Sequence, residues 1–97
     1  MLTSKQRAAL RRLANGLSPV FQVGKDGVEE ELVKATDTCL AKRELIKIRA
    51  LETSPETARE AAEALAAATG AEVVQVIGST LVLFRKKKET QFAEVFK

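Results

Sequence analysis

The chain has 97 residues, of which 45% are hydrophobic and 30% charged, and its net charge is +3. This length and balance are typical of one soluble globular domain with a single core. The sequence contains no histidine and one cysteine, Cys39, which excludes an internal disulfide and a thiolate zinc site and removes the commonest general base. Since neither a Walker A sequence nor a dinucleotide fingerprint is present, we expect no enzymatic activity, no cofactor and no metal.

Basic and acidic residues are segregated along the chain. Residues 1–49 contain ten Lys or Arg against six Asp or Glu, residues 50–84 one against five, and residues 85–97 five against two. Segregated basic charge is typical of a protein with a polyanionic partner, although it equally describes a solvated surface. Because the N-terminus lacks a signal-peptide pattern and no apolar run approaches membrane-spanning length, we expect a cytoplasmic protein without a membrane partner.

The first helix is predicted over residues 3–15. Thr3 and Gln6 form a capping-box pattern, and Gly16 stands where a C′ glycine usually ends a helix. Arg7 and Arg11 lie one turn apart beside the apolar face, which predicts a basic ridge. A helical period places four leucines on that face: Leu2, Leu10, Leu13 and Leu17.

A glycine-bracketed loop, Gly24-Lys25-Asp26-Gly27, follows a predicted strand at 20–23 and precedes a predicted helix at 28–41. The glycines allow a sharp turn and close approach of another backbone. The helix start offers free N–H groups and a positive dipole end. Such a loop can hold a sugar-phosphate backbone, as the GxxG loop of KH-type modules does, or it can be a turn and nothing more.

The second predicted helix has an apolar face, but its first turn holds carboxylates that oppose phosphate binding at the loop. One face holds Val28, Leu32, Ala35 and Cys39, so Cys39 is expected to be a small core residue. Three carboxylates, at positions 29–31, occupy the first turn, where the dipole favours them. They would repel a phosphate at the loop unless they point away from it.

The second strand is predicted over residues 44–51, after Lys42 and Arg43 at the end of the second helix. Ile46 and Ile48 alternate with two cations, so one side of the strand is apolar and the other basic, unless the cations simply solvate the sheet. Those cations are Lys47 and Arg49.

The third helix is predicted to start at Ser54 as N-cap with Pro55 in the first turn, and to stop at Gly70. Its outer side is expected to be acidic through Glu56, Glu60 and Glu63. Two β-rich runs follow, at 73–77 and 80–85, joined by a Gly78-Ser79 hairpin turn.

The element order is therefore α-β-α-β-α-β-β, an α/β fold with a mixed four-stranded sheet. Strand–helix–strand units predict parallel strands, and the hairpin adds an antiparallel one. We expect a single domain at 1–88 and a basic, apolar C-terminal tail at 89–97. Within the tail, Phe92, Val95 and Phe96 have the spacing of one amphipathic helical turn, although a frayed tail is equally compatible.

Four separated stretches resemble the CRM domain family, and more narrowly its stand-alone bacterial YhbY-type members. They are LANGLSP at 13–19, VGKDGV at 23–28, ELIKI at 44–48 and VQVIGSTLVLFR at 74–85. The likeness covers residues 2–86. Two positions depart from the family pattern: Phe84 stands where tyrosine is frequent, and Glu29 replaces a frequent small polar residue.

The resemblance implies a fold similar to the C-terminal domain of bacterial translation initiation factor three, and binding to structured RNA through the GxxG loop. For a chain without the extra domains of plant splicing members, it implies binding of ribosomal RNA in large-subunit precursors during ribosome assembly. Gly24 and Gly27 would allow close approach and Lys25 would contact a phosphate, while Asp26 would cap the second helix or face solvent. Flanking contacts are expected from Arg7, Arg11, Lys42, Arg43, Lys47, Arg85 and Lys86.

The alternative function is a protein-interaction module that docks on a ribosomal protein through the apolar tail or the acidic third helix. In either case we expect a monomer.

Overall fold

Helices and strands alternate along residues 2–97, the part of the chain that the structure describes. In this computed structural model the elements are α1 (Ser4–Ala14), β1 (Phe21–Val23), α2 (Glu30–Arg43), β2 (Leu45–Ala50), α3 (Ala58–Thr69), β3 (Glu72–Ile77) and β4 (Thr80–Phe84), with a 3₁₀ turn at Ala93–Phe96. The predicted α/β class and element order are confirmed. None of the helices in residues 2–97 combines the length and apolarity that a membrane crossing requires.

The four strands form one mixed sheet in the order β1-β2-β4-β3. β1 and β2 are parallel, with Phe21 opposite Ile48, because α2 carries the chain back between them. The predicted Gly78-Ser79 hairpin is confirmed, with Gly78 at φ +58°. Its second strand, β4, inserts between β2 and β3 and is antiparallel to both. β1 therefore lies at one edge of the sheet, and the loop that follows it is at a corner of the molecule.

The predicted start of α1 is confirmed, but its apolar stripe is partly wrong. Thr3 Oγ1 accepts a hydrogen bond from the backbone N–H of Gln6 at 3.1 Å, and the Gln6 side chain accepts one from the N–H of Thr3 at 2.9 Å. Leu10 and Ala14 are the buried residues of this helix. Leu13 is 48% exposed because it lies to one side of this buried pair, and Leu17 is 38% exposed because the helix ends at Ala14 and the chain then leaves the core.

The predicted N-terminus of α3 is wrong by one turn. The N-cap is Thr57, which forms a reciprocal capping box with Glu60. Ser54 instead exchanges hydrogen bonds with the backbone of Glu56, at 2.7 and 3.1 Å, and so holds the preceding segment in a turn. Glu56 is therefore outside the helix, while the predicted stop at Gly70 is confirmed by its left-handed φ of +76°.

The sheet buries one face fully and the other in part. One face packs against α2 and α3 through residues such as Val23, Ile46 and Ile48, and the half-buried Cys39 lies at the edge of this core. The second face has its own cluster: Leu2, Leu10, Ala14, Leu45, Val74, Val82 and Phe84. α1 covers only the end of the second face near Leu45 and Phe84, so the remainder of that face stays open.

The C-terminal segment 89–97 is packed onto the second cluster. Phe96 stacks on Phe84 with ring centroids 5.6 Å apart, and Phe92 meets the same ring edge-on at 5.8 Å. Val95 also lies against this cluster. The expected helical turn is a 3₁₀ turn, and the domain boundary at residue 88 stays a prediction.

Candidate nucleic-acid interface

The glycine-bracketed loop is a closed turn at the end of β1. The backbone N–H of Gly27 donates to the carbonyl oxygen of Gly24 at 2.9 Å. Gly27 adopts φ +67°, in the left-handed region that glycine tolerates best. The sequence signal for a sharp turn is thus confirmed at the second glycine.

The two glycines are needed for different reasons. A Cβ on Gly27 would overlap the carboxylate of Glu56 and lie 2.9 Å from Cγ of Pro55. A Cβ on Gly24 would have no atom within 4 Å among residues 2–97, its chain neighbours aside. The Glu56 carboxylate accepts hydrogen bonds from the backbone N–H of Val28 at 3.2 and 3.3 Å. Gly27 is therefore required by the protein's own packing, and only Gly24 leaves space for an external partner.

Carboxylates line the cavity beside this loop. The cavity has a volume of about 400 Å³, and Glu29 and Glu31 line it together with Lys25 and Asp26. The side chains of Glu29 and Glu31 thus stay beside the loop. Glu29 is the N-cap residue of α2 and makes no side-chain capping hydrogen bond, and Asp26 is exposed. Among residues 2–97, no group of three or more potential metal ligands is arranged to hold an ion.

A basic strip continues from the loop along the open face of the sheet. The register places Gln22 on β1 opposite Arg49 on β2, and both side chains are exposed. Lys47 lies two residues along β2 and therefore on the same face, where it is half-buried. Gln22 was not singled out from sequence, although its place between the buried Val23 and half-buried Phe21 would have indicated it.

Other predicted cations lie at the opposite end of the sheet. Lys42 and Arg43 close α2, which precedes β2, and Lys86 follows β4, whereas the loop follows β1 at the other end. β2 spans six residues, so about 20 Å separates the two ends at roughly 3.3 Å per residue. Lys86 is exposed and its Nζ lies 5.0 Å from the centroid of the Phe96 ring.

Two predicted arginines have intramolecular partners. Arg85 Nη1 donates to Asp37 Oδ1 at 2.5 Å and to the carbonyl of Thr69 at 2.7 Å, while Nη2 donates to the carbonyl of Asp37 at 2.9 Å. Arg7 Nη1 donates to the carbonyl oxygen of Val73. These guanidinium groups tie helices to one another and to the sheet edge. Arg11 is exposed, and no hydrogen bond of its side chain is found within residues 2–97, so the predicted ridge combines one bonded arginine with one exposed arginine.

Glu44 is a structurally important residue that sequence reasoning treated only as the start of a strand. It is 1% exposed and has φ +65°, an uncommon value for a residue with a side chain. Its carboxylate accepts hydrogen bonds from Lys87 N at 3.0 Å, Thr90 Oγ1 at 2.5 Å and Gln91 N at 2.9 Å. Glu44 therefore fastens the C-terminal segment to the α2–β2 junction.

The pKa of Glu44 reflects two opposing effects. Burial raises the pKa of this carboxyl group, but the hydrogen bonds from Thr90, Gln91 and Lys87, together with the Lys87 charge, hold the pKa below its ordinary value. The group is therefore ionised at neutral pH although it is buried.

Comparisons with known proteins agree on a single family. The model of the CRS1/YhbY (CRM) domain matches residues 2–85. The probable RNA-binding protein YqeI of Bacillus subtilis is 42% identical over 95 residues, covering 98% of this chain and 99% of that protein. An RNA-binding protein of Haemophilus influenzae is 34% identical over 90 residues, covering 93% and 91%.

One solved structure is similar to this chain in both fold and sequence. The solution structure of the hypothetical protein SAV1595 from Staphylococcus aureus, described as a candidate RNA-binding protein, has a TM-score of 0.80 and 46% identity. The match covers 95% of this chain and 96% of that one. Together, the family match and the similarity in fold and sequence show that the chain belongs to the CRS1/YhbY (CRM) domain family.

Proposed function

We propose that this protein binds RNA without catalysing a reaction on it. The proposed target is ribosomal RNA in precursors of the large subunit, bound by a monomer in the cytoplasm during ribosome assembly. Support for RNA comes from the family and from relatives named as RNA-binding proteins. The likeness to bacterial YhbY-type members supports the assembly role, which that likeness implies.

The observation that carries the proposal is the unobstructed backbone at Gly24. Apart from Gly24 and its two chain neighbours, no atom of residues 2–97 lies within 4 Å of the position where a side chain would begin. The turn is held from the opposite side by the hydrogen bonding between the Glu56 carboxylate and the N–H of Val28. A rigid, bare backbone loop is what close approach to a sugar-phosphate chain requires. Lys25 supplies a charge at the loop, and Lys47 and Arg49 continue the basic path along the sheet.

The phenylalanines limit how the RNA is held. Phe84 is buried, Phe92 and Phe96 pack against it, and Phe21 is half-buried against the core on the other face. The four phenylalanines are therefore poor platforms for stacking bases. Binding then depends on phosphate contacts and RNA shape. If four to six phosphates are contacted, log K falls with log salt at a slope of roughly −3 to −5.

The proposal is tested by fluorescence anisotropy with large-subunit ribosomal RNA fragments. Gly24→Asp places a carboxylate at the open backbone position and is expected to weaken binding at least about tenfold through repulsion and obstruction. Ala64→Asp, on the exposed outer side of α3, adds the same charge away from the loop and is expected to bind like the unmodified protein. Equal affinity of Gly24→Asp and Ala64→Asp would refute the role of the loop.

The assembly role requires a separate experiment in cells. A tagged protein is expected to co-sediment with precursors of the large subunit and to be depleted from mature ribosomes. Sedimentation only as a free protein would refute this part of the proposal and leave RNA binding standing.

Docking on a ribosomal protein through the tail has less support. The tail aromatics Phe92 and Phe96 cover the chain's own Phe84, so they are not available as a free apolar surface. The outer side of α3 remains exposed and acidic through Glu60 and Glu63.

A further inference from the structure

A second concave site lies between the α1–β1 connection and the start of β2. We call it the Arg43–Lys47 groove; its volume is about 370 Å³, within the usual range for small-ligand sites. Its apolar lining includes Leu17, Pro19, Val20 and Leu45, and its charged lining is Arg43 and Lys47.

The charge of this groove contrasts with that of the loop cavity. Both ionisable residues that line the groove are cations, whereas the loop cavity has three carboxylates, at positions 26, 29 and 31, against one lysine. Within residues 2–97, neither Arg43 nor Lys47 has an ion-pair partner. Their charges are therefore not neutralised inside the protein, and the groove suits an anionic ligand better than the loop cavity does.

The backbone holds the groove in shape before any ligand arrives. Glu44 has a left-handed φ of +65° between α2 and β2, and its carboxylate is directed to the C-terminal segment. The anion next to Arg43 in sequence is thereby kept out of the groove. On the other side, the N–H of Val20 donates to the carbonyl of Lys47 at 2.8 Å and joins the connection to β2.

The apolar lining indicates more than a phosphate site. Leu17 is 38% exposed and Pro19 is exposed. A phosphate alone gains nothing from contact with this aliphatic surface. A nucleotide combines a flat, largely apolar base with a phosphate, so it complements both halves of the groove. The aliphatic lining offers surface contact to any base, and the exposed Ser18 adds one hydroxyl group to the same lining.

We infer that the Arg43–Lys47 groove binds one unpaired nucleotide of RNA, with the base against Leu17 and Pro19 and the phosphate between Arg43 and Lys47. This inference rests on the proposed RNA-binding function and adds a second contact to the loop. Val20, bonded to Lys47, is four residues from Gly24 along β1, or about 13 Å at roughly 3.3 Å per residue. One continuous strand of RNA therefore reaches both sites.

The test uses the full chain and a single-stranded ribosomal RNA fragment carrying 2-aminopurine, whose emission rises when the base leaves its stack. Two pairs of variants separate the two halves of the groove. Arg43→Gln with Lys47→Gln removes two charges, and its control, Lys34→Gln with Arg59→Gln, removes two exposed charges elsewhere. Leu17→Ser removes the apolar contact, and its control is Leu13→Ser on α1, which is 48% exposed and outside the groove lining.

The charge variant is expected to bind about tenfold more weakly at low salt and to reduce the salt slope by about 1 to 2, while its control changes affinity less than about twofold. Leu17→Ser is expected to suppress the rise in emission and weaken binding without changing the salt slope, while Leu13→Ser behaves like the unmodified protein. All variants are checked for folding by circular dichroism.

Two results would refute the inference, and they differ in what they imply for the proposed RNA-binding function. If either groove variant matches its control, the groove does not hold a nucleotide, and the proposed RNA-binding function is unaffected. If the unmodified protein binds no RNA in this assay, the proposed function fails and the groove assignment fails with it.

Discussion

The same substitution at the two loop glycines is expected to have opposite consequences for stability. At Gly27, an alanine must adopt φ +67°, which costs roughly 1–2 kcal/mol in the left-handed region. Its Cβ also displaces the Glu56 carboxylate, whose two oxygens share the backbone N–H of Val28 in one bifurcated hydrogen bond. Loss of a hydrogen bond to a charged group costs about 1.5–3 kcal/mol. Gly27→Ala is therefore expected to lower the free energy of unfolding by about 2.5–5 kcal/mol.

At Gly24 neither cost applies. The backbone there is outside the left-handed region and an added Cβ meets no atom within 4 Å. Gly24→Ala is expected to leave the free energy of unfolding within about 0.5 kcal/mol, or to raise it by up to about 1 kcal/mol, because alanine restricts the unfolded chain. The pair is thus a matched comparison of one substitution within a single turn.

The assay is urea unfolding followed by circular dichroism, with Glu56→Ala and the double variant Gly27→Ala/Glu56→Ala completing a cycle. Removing the Glu56 side chain first should reduce the cost of Gly27→Ala to that of the left-handed backbone, about 1–2 kcal/mol, plus the remaining close contact of the new Cβ with Cγ of Pro55. The reasoning is refuted if Gly27→Ala and Gly24→Ala are equally stable, or if the cost of Gly27→Ala is unchanged without Glu56.

Three further predictions concern the end of the sheet opposite the loop. Because folding lowers the pKa of Glu44 from its ordinary value of 4.5, its stabilising effect is complete above that value and is lost as the pH falls through the folded pKa. The free energy of unfolding should fall on acidification below about pH 4.5 in the unmodified protein, and it should fall less steeply in Glu44→Gln. Parallel pH profiles of this free energy in the two proteins would contradict the prediction. Deleting residues 89–97 uncovers the Phe84 ring and should lower the free energy of unfolding by about 2–4 kcal/mol. An unchanged melting temperature would show that the tail does not contribute to the packing of the core. Arg85→Lys loses the guanidinium hydrogen bonds to α2 and to the end of α3 and should cost about 1.5–3 kcal/mol with little effect on RNA affinity. Lys86→Gln loses only an exposed contact with the Phe96 ring and should cost less than about 1 kcal/mol. The reverse pattern in unfolding and anisotropy would assign Arg85 to the RNA.

The contacts of the tail and of the loop also decide which variants can distinguish RNA binding from docking on a ribosomal protein. Deletion of residues 89–97 removes hydrogen bonds to Glu44 as well as an exposed segment. A loss of activity after that deletion would therefore report damage to the fold as readily as loss of a docking surface. Likewise, a substitution at Gly27 tests packing, and Gly24 is the position that tests the interface.

Sequence alone determined the elements whose signals are local. The capping box of Thr3 with Gln6, the left-handed stop at Gly70 and the hairpin at Gly78 each depend on groups within a few residues of one another. The alternation at Ile46 and Ile48 identified the buried side of β2 because a strand presents successive side chains to opposite faces. These signals were sufficient for the α/β order, whereas the family was indicated by the resemblance of four separated stretches of sequence.

At the start of α3, tertiary contacts overrode the local signal on which the prediction was based. Ser54-Pro55 is an acceptable helix start in sequence, yet the structure uses the capping box of Thr57 with Glu60. The structure begins α3 after Thr57 because Glu56 is held in a turn by Ser54 and bonded to Val28 on another segment. That contact is 28 residues away in the chain, beyond the reach of any local pattern.

The role of each cation was also decided by the tertiary structure. Arg85 belongs to the densest basic cluster in the sequence, yet its guanidinium is bonded to Asp37 and Thr69. Arg43 and Lys47 line one groove because the left-handed Glu44 between them turns the chain from helix to strand. Sequence supplied the residue types and the family. Which charges remain free, and which share a surface, depends on contacts between residues far apart in the chain, and only the fold creates those contacts.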